Sequence, residues 1–477
     1  MKRQSGVLMH VSSLWGGYSE GSFGTPAKEF CDLIAAGGFS VWQVLPFCLT
    51  DDCNSPYKSA GAFSINPNFI DLPNLYRKGL LTREELDAAK EKTPYACEFE
   101  RLSKERFALL QKASGRLRDR SAIEAFLKLH PKVAEFCLFM AKKEANSGLA
   151  WTEWTTDSYD NDVLLAWQFT QYEAYTEWME VKAYANRCGI SIIGDLPIYV
   201  AYDSADVYFH KQDFQLDERD RPTSVAGVPP DYFSEDGQLW GNPLYDWEAQ
   251  KKTGYTFWKD RLSFQLELFD GVRIDHFRGL ESYYSVPSSE TTAKNGKWIK
   301  GPGMDLLKAL SPLTKGKLMI AEDLGNITKE VLELVKKSGY PGMRVLQFAF
   351  LGDKNSPHLP HNYDNDCVAY TGTHDNNTLL GYVWEIDPNT RARLLRYCGF
   401  SGDDWNAGYN EILRTMFESH AGLLILPVQD LLLYGRDTRL NTPGEKDGNW
   451  SFRLTKEQAL SIPLSKFSEW NDLYGRK

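Results

Sequence analysis

GVRIDHF (271–277) and LMIAEDLG (318–325) each run a short apolar stretch straight into ionisable residues, and that form recurs along the chain. Six further runs share it: SGVLMHVSSL (5–14), SVWQVLPF (40–47), ISIIGDLPIYV (190–200), MRVLQFAF (343–350), CVAYTGTHD (367–375) and GLLILPVQDLL (422–432). Continuous apolar runs of this length suit strands buried on both faces, and their alternation with helical stretches implies a parallel sheet. Eight of them predict an α/β fold, a closed (β/α)8 TIM barrel.

The intervening helices have readable ends. Thr25-Pro26 opens one, with Thr25 expected as N-cap, and Gly37-Gly38 closes it. Residues 162–189 carry apolar positions at helical spacing and stop at Gly189, a left-handed C-cap ahead of the third run. Two connections far exceed the usual barrel loop. The first, 48–161, is a helical insertion after strand two, amphipathic over 80–150; the second, 201–258, follows strand three and is rich in Asp, Pro, Gly and aromatics. It is expected to be loop-like and to carry an active-site lid at 226–245. Residues 1–477 thus read as one interrupted barrel, with too little chain after the eighth run for a C-terminal β-sandwich.

Composition narrows the partners. The 477 residues are 42% hydrophobic and 25% charged, an ordinary globular balance with a net charge of −10 and no dense basic run. Nucleic acid is not an expected partner. No apolar run is long enough to span a bilayer and the start lacks a signal-peptide pattern, so a cytoplasmic protein without a membrane partner is expected, a monomer or weak homo-oligomer. The eight cysteines are scattered and read as reduced thiols. Aromatics make up 13% of the chain, most of them core, the rest suited to sugar faces.

Barrel chemistry sits at the C-terminal ends of strands. There the chain places Asp195, Arg273, Asp275, His276, Glu322, Asp323, His374 and Asp375. Arg273 and Asp275, two apart on a strand, share a face, so the guanidinium is expected to hold Asp275 as an anion, fit to be a nucleophile. Glu322, expected to be shielded by aromatics, is the opposite case, a carboxyl kept protonated to donate to a leaving group. One anionic and one protonated carboxyl are what retaining glycoside cleavage requires. Asp323 reads as a structural partner. His358/His361 and Cys48/Cys53 are the only metal-like spacings, and Pro360 spoils a helical presentation of the histidines. No metal and no cofactor is expected.

GDLPIYV, GVRIDHF, AEDLG and THDN, in this order, resemble the conserved regions of the α-amylase superfamily. RIDHF and GVPPDYFSEDGQLWGNPLY (227–245), with NSPY (54–57) and LNTPG (440–444), resemble the amylomaltases, the 4-α-glucanotransferases of glycoside hydrolase family 77, across essentially the whole chain. The resemblance implies transfer of α-1,4-glucan segments between maltooligosaccharides through a covalent glucosyl enzyme. It makes Asp275 the nucleophile, Glu322 the general acid/base and Asp375 the transition-state stabiliser. It places Tyr57, Asp195, Asp231, Tyr232, Phe233, Trp240, Asn242, Pro243, Arg273, His276, His374 and Asn441 around the substrate. A glucan hydrolase with the same carboxylates, an inactive glucan-binding protein and a metal-dependent barrel enzyme are the competing readings.

Overall fold

The computed structural model describes residues 1–230 and 234–477. In chain order the described strands are β1 (Gln4–Leu8), β2 (Val41–Gln43), β3 (Ser191–Leu196), β4 (Ser224–Val228), β5 (Gln238–Pro243), β6 (Gly271–Ile274), β7 (Ser282–Pro287), β8 (Lys297–Lys300), β9 (Leu318–Ala321), β10 (Gly342–Val345), β11 (Cys367–Tyr370) and β12 (Leu423–Pro427). Eight of them close a parallel barrel in the order β1-β12-β11-β10-β9-β6-β3-β2, each strand beside its predecessor in the series of apolar runs. The other four form an antiparallel sheet, β5-β4-β7-β8, beside it.

Strand period two divides the barrel residues between two cores. Leu8, Val41, Ile193, Ile320, Val345, Val368, Tyr370 and Ile425 meet inside the barrel, whose interior is filled rather than open. Their neighbours in sequence, such as Val7, Trp42, Ile192 and Leu424, join the larger core under the helices. Tyr370 donates to Gln43 Oε1 at 2.9 Å, satisfying a buried phenol within the barrel.

Regular pairing is shorter than the apolar runs suggest. The first run turns into a 3-10 helix at Val11–Ser13, the sixth into one at Leu346–Phe348 and the eighth into a helix at Val428–Leu431. The barrel closes within four to six residues per strand or fewer, and the remaining apolar residues pack its rim. Thr25 is also not the cap of its helix. Gly24 caps Thr25–Ala36, because a Cβ at that position would lie 2.5 Å from the Asp71 carboxylate.

Between β2 and β3 lie the helices Leu72–Arg77, Arg83–Ala88, Phe99–Ser114, Ser121–Leu129, Pro131–Ala145 and the long Asn161–Arg187. The last ends as its sequence indicates, with Gly189 at φ +77. Its Trp178 is fully buried, donates to Leu268 O at 2.9 Å and meets Phe47 edge-on at 4.5 Å, which locks the helix to the barrel wall. Gln171, on the same helix, pairs with both the N–H and the carbonyl of Ile65 and so fixes the loop after β2.

The segment after β3 is not loop alone. It holds the helices Ala205–Phe209 and Trp247–Lys252, and β4 and β5 form a hairpin that β7 and β8, from the stretch after β6, extend into the small sheet. Gly237 turns this hairpin at φ +66, where a Cβ would also collide with Val228 O.

Trp178→Ala should lower stability by about 3–5 kcal/mol, the range for an aromatic truncated in a packed core. Chemical denaturation of the wild type and the variant checks this; a loss under about 1 kcal/mol would show that the long helix is not held there.

Candidate active site

Parallel pairing brings the first group together. β3 and β6 are in register at Asp195 and Arg273, so the two side chains rise side by side at the barrel mouth. Arg273 donates to Asp195 Oδ2 at 2.7 Å and to Asp275 Oδ1 at 2.6 Å. Tyr57, from the loop after β2, donates its hydroxyl to the same Asp195 oxygen at 2.6 Å. Burial drives the electrostatics here. It raises the Asp275 carboxyl above the usual aspartate range and pushes Asp195 up to about 7, while Arg273 pulls both down. The expectation that the guanidinium leaves the Asp275 carboxyl below its ordinary range is therefore corrected: Arg273 does pull it down, but desolvation is the larger effect.

The second carboxyl is positioned by backbone. Glu322 follows β9, and its own N–H donates to Ile274 O at 3.1 Å. His276, left-handed at φ +52, turns its N–H onto Glu322 Oε2 at 2.7 Å, and Leu324 N–H reaches Oε1 at 2.7 Å. A non-glycine residue in that region is strained, and here the strain aims a donor. Burial first, then the Asp275 charge, push Glu322 up to about 8, against Arg273 and the two amides. The hydrogen bonds to this carboxyl come from these two amides.

The third group rises from β11. Asp375 Oδ1 accepts from Asn441 Nδ2 at 2.6 Å and lies 3.2 Å from His374 Nε2. Arg439 donates to the Asp375 carbonyl at 2.6 Å, and Asn441 N–H to the His374 carbonyl at 3.2 Å, so the 439–441 segment clamps the turn. Burial lowers His374 to about 4 and His276 to about 3, leaving both neutral near pH 7. His374 stacks on Tyr57 with centroids 5.0 Å apart and planes at 14°.

Asp275, His374 and Asp375 line a cleft of about 310 Å³ together with Tyr57, Trp240, Asn242 and Asn441, while Glu322 and His276 are not among its lining residues. Trp240 reaches it from β5 and meets the His276 ring edge-on at 4.9 Å. Asn242 gives its amide to Val200 O at 2.9 Å, and so also ties β5 to the end of β3. Asp195 and Arg273 stand behind this surface. Pro243, expected to line the substrate, is buried and paired with Val225 in the small sheet. Asp231, Tyr232 and Phe233 lie outside the described residues. Asp323 is a structural partner, accepting from Met343 N at 2.6 Å with Arg344 at 3.4 Å. His358 Nδ1 accepts Val345 N–H at 3.1 Å, which gives that histidine a backbone role.

Sequence reasoning missed Lys58, Tyr199, Gln238 and Trp450, which line the same cleft. Tyr199 sits in the quoted PIYV run and could have been found from it. Trp450 could not: it meets the Tyr57 and His374 rings at 5.9 and 5.8 Å, from 393 and 76 residues away in the chain.

Comparison with known proteins shows the family. The family model described as 4-alpha-glucanotransferase, glycoside hydrolase family 77, matches residues 9–459. A 4-alpha-glucanotransferase of Clostridium butyricum is 40% identical, covering 98% of this chain and 100% of the relative, and one of Thermus thermophilus is 40% identical over 95% of each. An amylomaltase of Streptococcus agalactiae, solved in complex with acarbose, superposes with a TM-score of 0.95 at 33% identity over 100% of both chains. The chain belongs to the 4-alpha-glucanotransferases of glycoside hydrolase family 77, and is an enzyme of that transferase type.

Proposed function

We propose that the rim moves α-1,4-glucan segments between maltooligosaccharides by double displacement, with Asp275 as nucleophile, Glu322 as general acid/base and Asp375 as transition-state stabiliser. The observation that carries this reading is the asymmetry of the first two carboxyls. Asp275 is ion-paired to Arg273, whereas Glu322, among the described residues, is hydrogen-bonded by amides next to that negative charge. Where several carboxylates share one guanidinium, the proton resides on the one without the ion pair.

Arg273 occupies Asp275 Oδ1, leaving Oδ2 to attack the anomeric carbon while Glu322 gives its proton to the departing 4-oxygen. The acceptor's 4-hydroxyl then loses its proton to Glu322 and displaces Asp275, so two inversions give retention. Asp375, fixed by Asn441 and His374, binds sugar hydroxyls through the distorted ring of the transition state. Tyr57, Trp240 and Asn441 line the sugar's path, with the 226–245 segment as its lid and Asp231, Tyr232 and Phe233 as further substrate-binding residues.

Transfer demands that an acceptor sugar outcompete bulk water by about four to five decades, or about 5.5–7 kcal/mol. A well-oriented acceptor reaches effective molarities of about 10⁵–10⁸ M, which is that scale. Trp240, packed against His276, is the described ring placed to orient it. Donors and acceptors are neutral glucans, and the reaction is placed in the cytoplasm; among the described residues no helix is long and apolar enough to cross a membrane.

With maltotriose as sole substrate the products should be glucose and a ladder of longer oligomers at nearly constant reducing ends. A steady rise in reducing ends with nothing longer than maltotriose would falsify transfer and favour hydrolysis. Asp275→Asn should abolish transfer and hydrolysis together while the variant still binds glucan; retention of a tenth of wild-type activity, a loss of only about 1.4 kcal/mol of transition-state stabilisation, would remove Asp275 as the nucleophile.

The pH profile of kcat/KM should be bell-shaped. Glu322 works protonated and is pushed up to about 8, so the rate falls as pH rises through about 8. Asp275 works ionised and is raised by burial, so the acid limb lies above the usual aspartate range. Glu322→Gln should cost about 10²–10⁴ with maltotriose. Its glycosylation step should recover with an α-maltosyl fluoride donor, whose leaving group needs no proton; no recovery would remove Glu322 as the acid.

A further inference from the structure

The loop that carries His374 and Asp375 is held at both ends by one carboxylate that does not line the catalytic cleft. Asp430 lies in the short helix Val428–Leu431, within the eighth apolar run, and is fully buried. Its Oδ2 accepts from Thr371 Oγ1 at 2.5 Å and its Oδ1 from Leu379 N–H at 2.8 Å. Thr371 is the first residue after β11 and Leu379 the first of the helix Leu379–Glu385. Asp375 is the midpoint between them, four residues from each.

Between those ends the loop has little freedom left. Thr373 gives both its N–H and its hydroxyl to Asn376 Oδ1 at 2.9 Å, and Asp375 N–H reaches Thr373 Oγ1 at 3.3 Å. Gln347 Nε2 donates to Asn377 O at 2.7 Å, an approach that Gly372 permits, since a Cβ there would lie 2.5 Å from that nitrogen. These bonds shape the loop, and Asp430 joins its start to its end. Asp430 is itself anchored: Tyr409 donates to its carbonyl at 3.0 Å, which fixes its backbone against the helix Trp405–Glu418. Burial pushes its carboxyl up to about 6, against the pull of Thr371 and the Leu379 amide, so it is ionised near neutral pH. A buried carboxylate without an ion pair is costly unless its hydrogen bonds are well placed. Here both oxygens serve this one loop.

We propose that Asp430 is a positioning residue for the reaction: by tying Thr371 to Leu379 it fixes where Asp375 meets the reacting sugar. The proposal rests on the reading of Asp375 as transition-state stabiliser, and brings the end of β12 into a site whose acids stand on or after β3, β6, β9 and β11. With the ties cut, Asp375 shifts against a sugar that Tyr57 and Trp240 still hold. An interaction made in the transition state is then lost while ground-state binding stays, so the loss falls on kcat and not on KM. A shift of about 1 Å costs about a hundredfold in rate.

The test measures maltotriose consumption and fluoride release from α-maltosyl fluoride, each counting transfer and hydrolysis alike and each normalised to folded protein by circular dichroism. Asp430→Ala should lower kcat about a hundredfold in both assays, with KM within about threefold of wild type. The loss should persist with the fluoride, unlike that of Glu322→Gln, because Asp375 acts on the sugar ring whatever the leaving group. Thr371→Val cuts one tie and keeps the side chain's shape; it should lower kcat about tenfold, and it decides if Asp430→Ala does not fold. Asp430→Asn, whose carboxamide can accept from Leu379 N–H and donate to Thr371 Oγ1, should stay within about threefold of wild type. A kcat within about twofold of wild type in folded Asp430→Ala or Thr371→Val overturns the proposal, as does recovery of their loss with the fluoride. A loss in Asp430→Asn as large as in those variants overturns it too, since the charge and not the tie would then matter. Asp375→Asn separates the two readings. If it keeps a tenth of wild-type fluoride release, the stabiliser reading falls and this proposal with it; if it is inactive beside fully active Asp430 and Thr371 variants, this proposal alone falls.

Discussion

The Arg273 guanidinium, with 5% of its side chain exposed, holds Asp195 at 2.7 Å and Asp275 at 2.6 Å. Neither acid can be moved independently of it. Asp195 is fully buried and shares its oxygen with the Tyr57 hydroxyl, so the loop after β2 is tied into the same cluster. Removing the guanidinium would strand a buried carboxylate, a loss of about 3–5 kcal/mol, whereas lysine could not span both partners with a planar fork. The register of β3 against β6 makes this geometry possible, which is why the barrel must close as it does for the rim to exist.

From that one cation follows the division of labour at the mouth. A single guanidinium cannot neutralise Asp195, Asp275, Glu322 and Asp375 together. Glu322, buried beside Asp275 and without an ion pair, is where a proton is least costly. The backbone then fixes its orientation without supplying charge, through Leu324 and the left-handed His276. Strain of order 1–3 kcal/mol at one residue is small against the ordering it secures, since a misplacement of about 1 Å can cost about a hundredfold in rate.

The barrel was legible because its strands are buried on both faces and so leave unbroken apolar runs in the sequence. The small sheet was not. β8 (KWIK) is largely exposed, and β5 ends on Pro243, so neither shows the alternation or apolar continuity that marks a strand. The acids at the strand ends were readable from position alone, and Arg273 beside Asp275 from period two. Their protonation was harder: the sequence shows the guanidinium but not the desolvation that outweighs it. Trp450 reaches the cleft by tertiary approach, which no local pattern records. Pro243 stood within a motif whose other members, Trp240 and Asn242, do line the cleft, yet the strand's alternation turns it away.

The cleft's walls also bear on transfer against hydrolysis. A nucleophile shielded by rigid neighbours loses less to water than one under a loose loop, because water needs only access while an acceptor needs a surface. Here the surface is assembled from separate parts of the chain: Tyr57 stacked on His374, Trp450 against both, and Trp240 standing on His276. Each ring is held by another residue of the site, so the platform that orients an acceptor is built from the same side chains that frame the carboxylates. Loosening any one of them admits water and disorders the acceptor together. On the transfer reading proposed above, the balance between transfer and hydrolysis would follow from this ring framework as well as from the carboxylates.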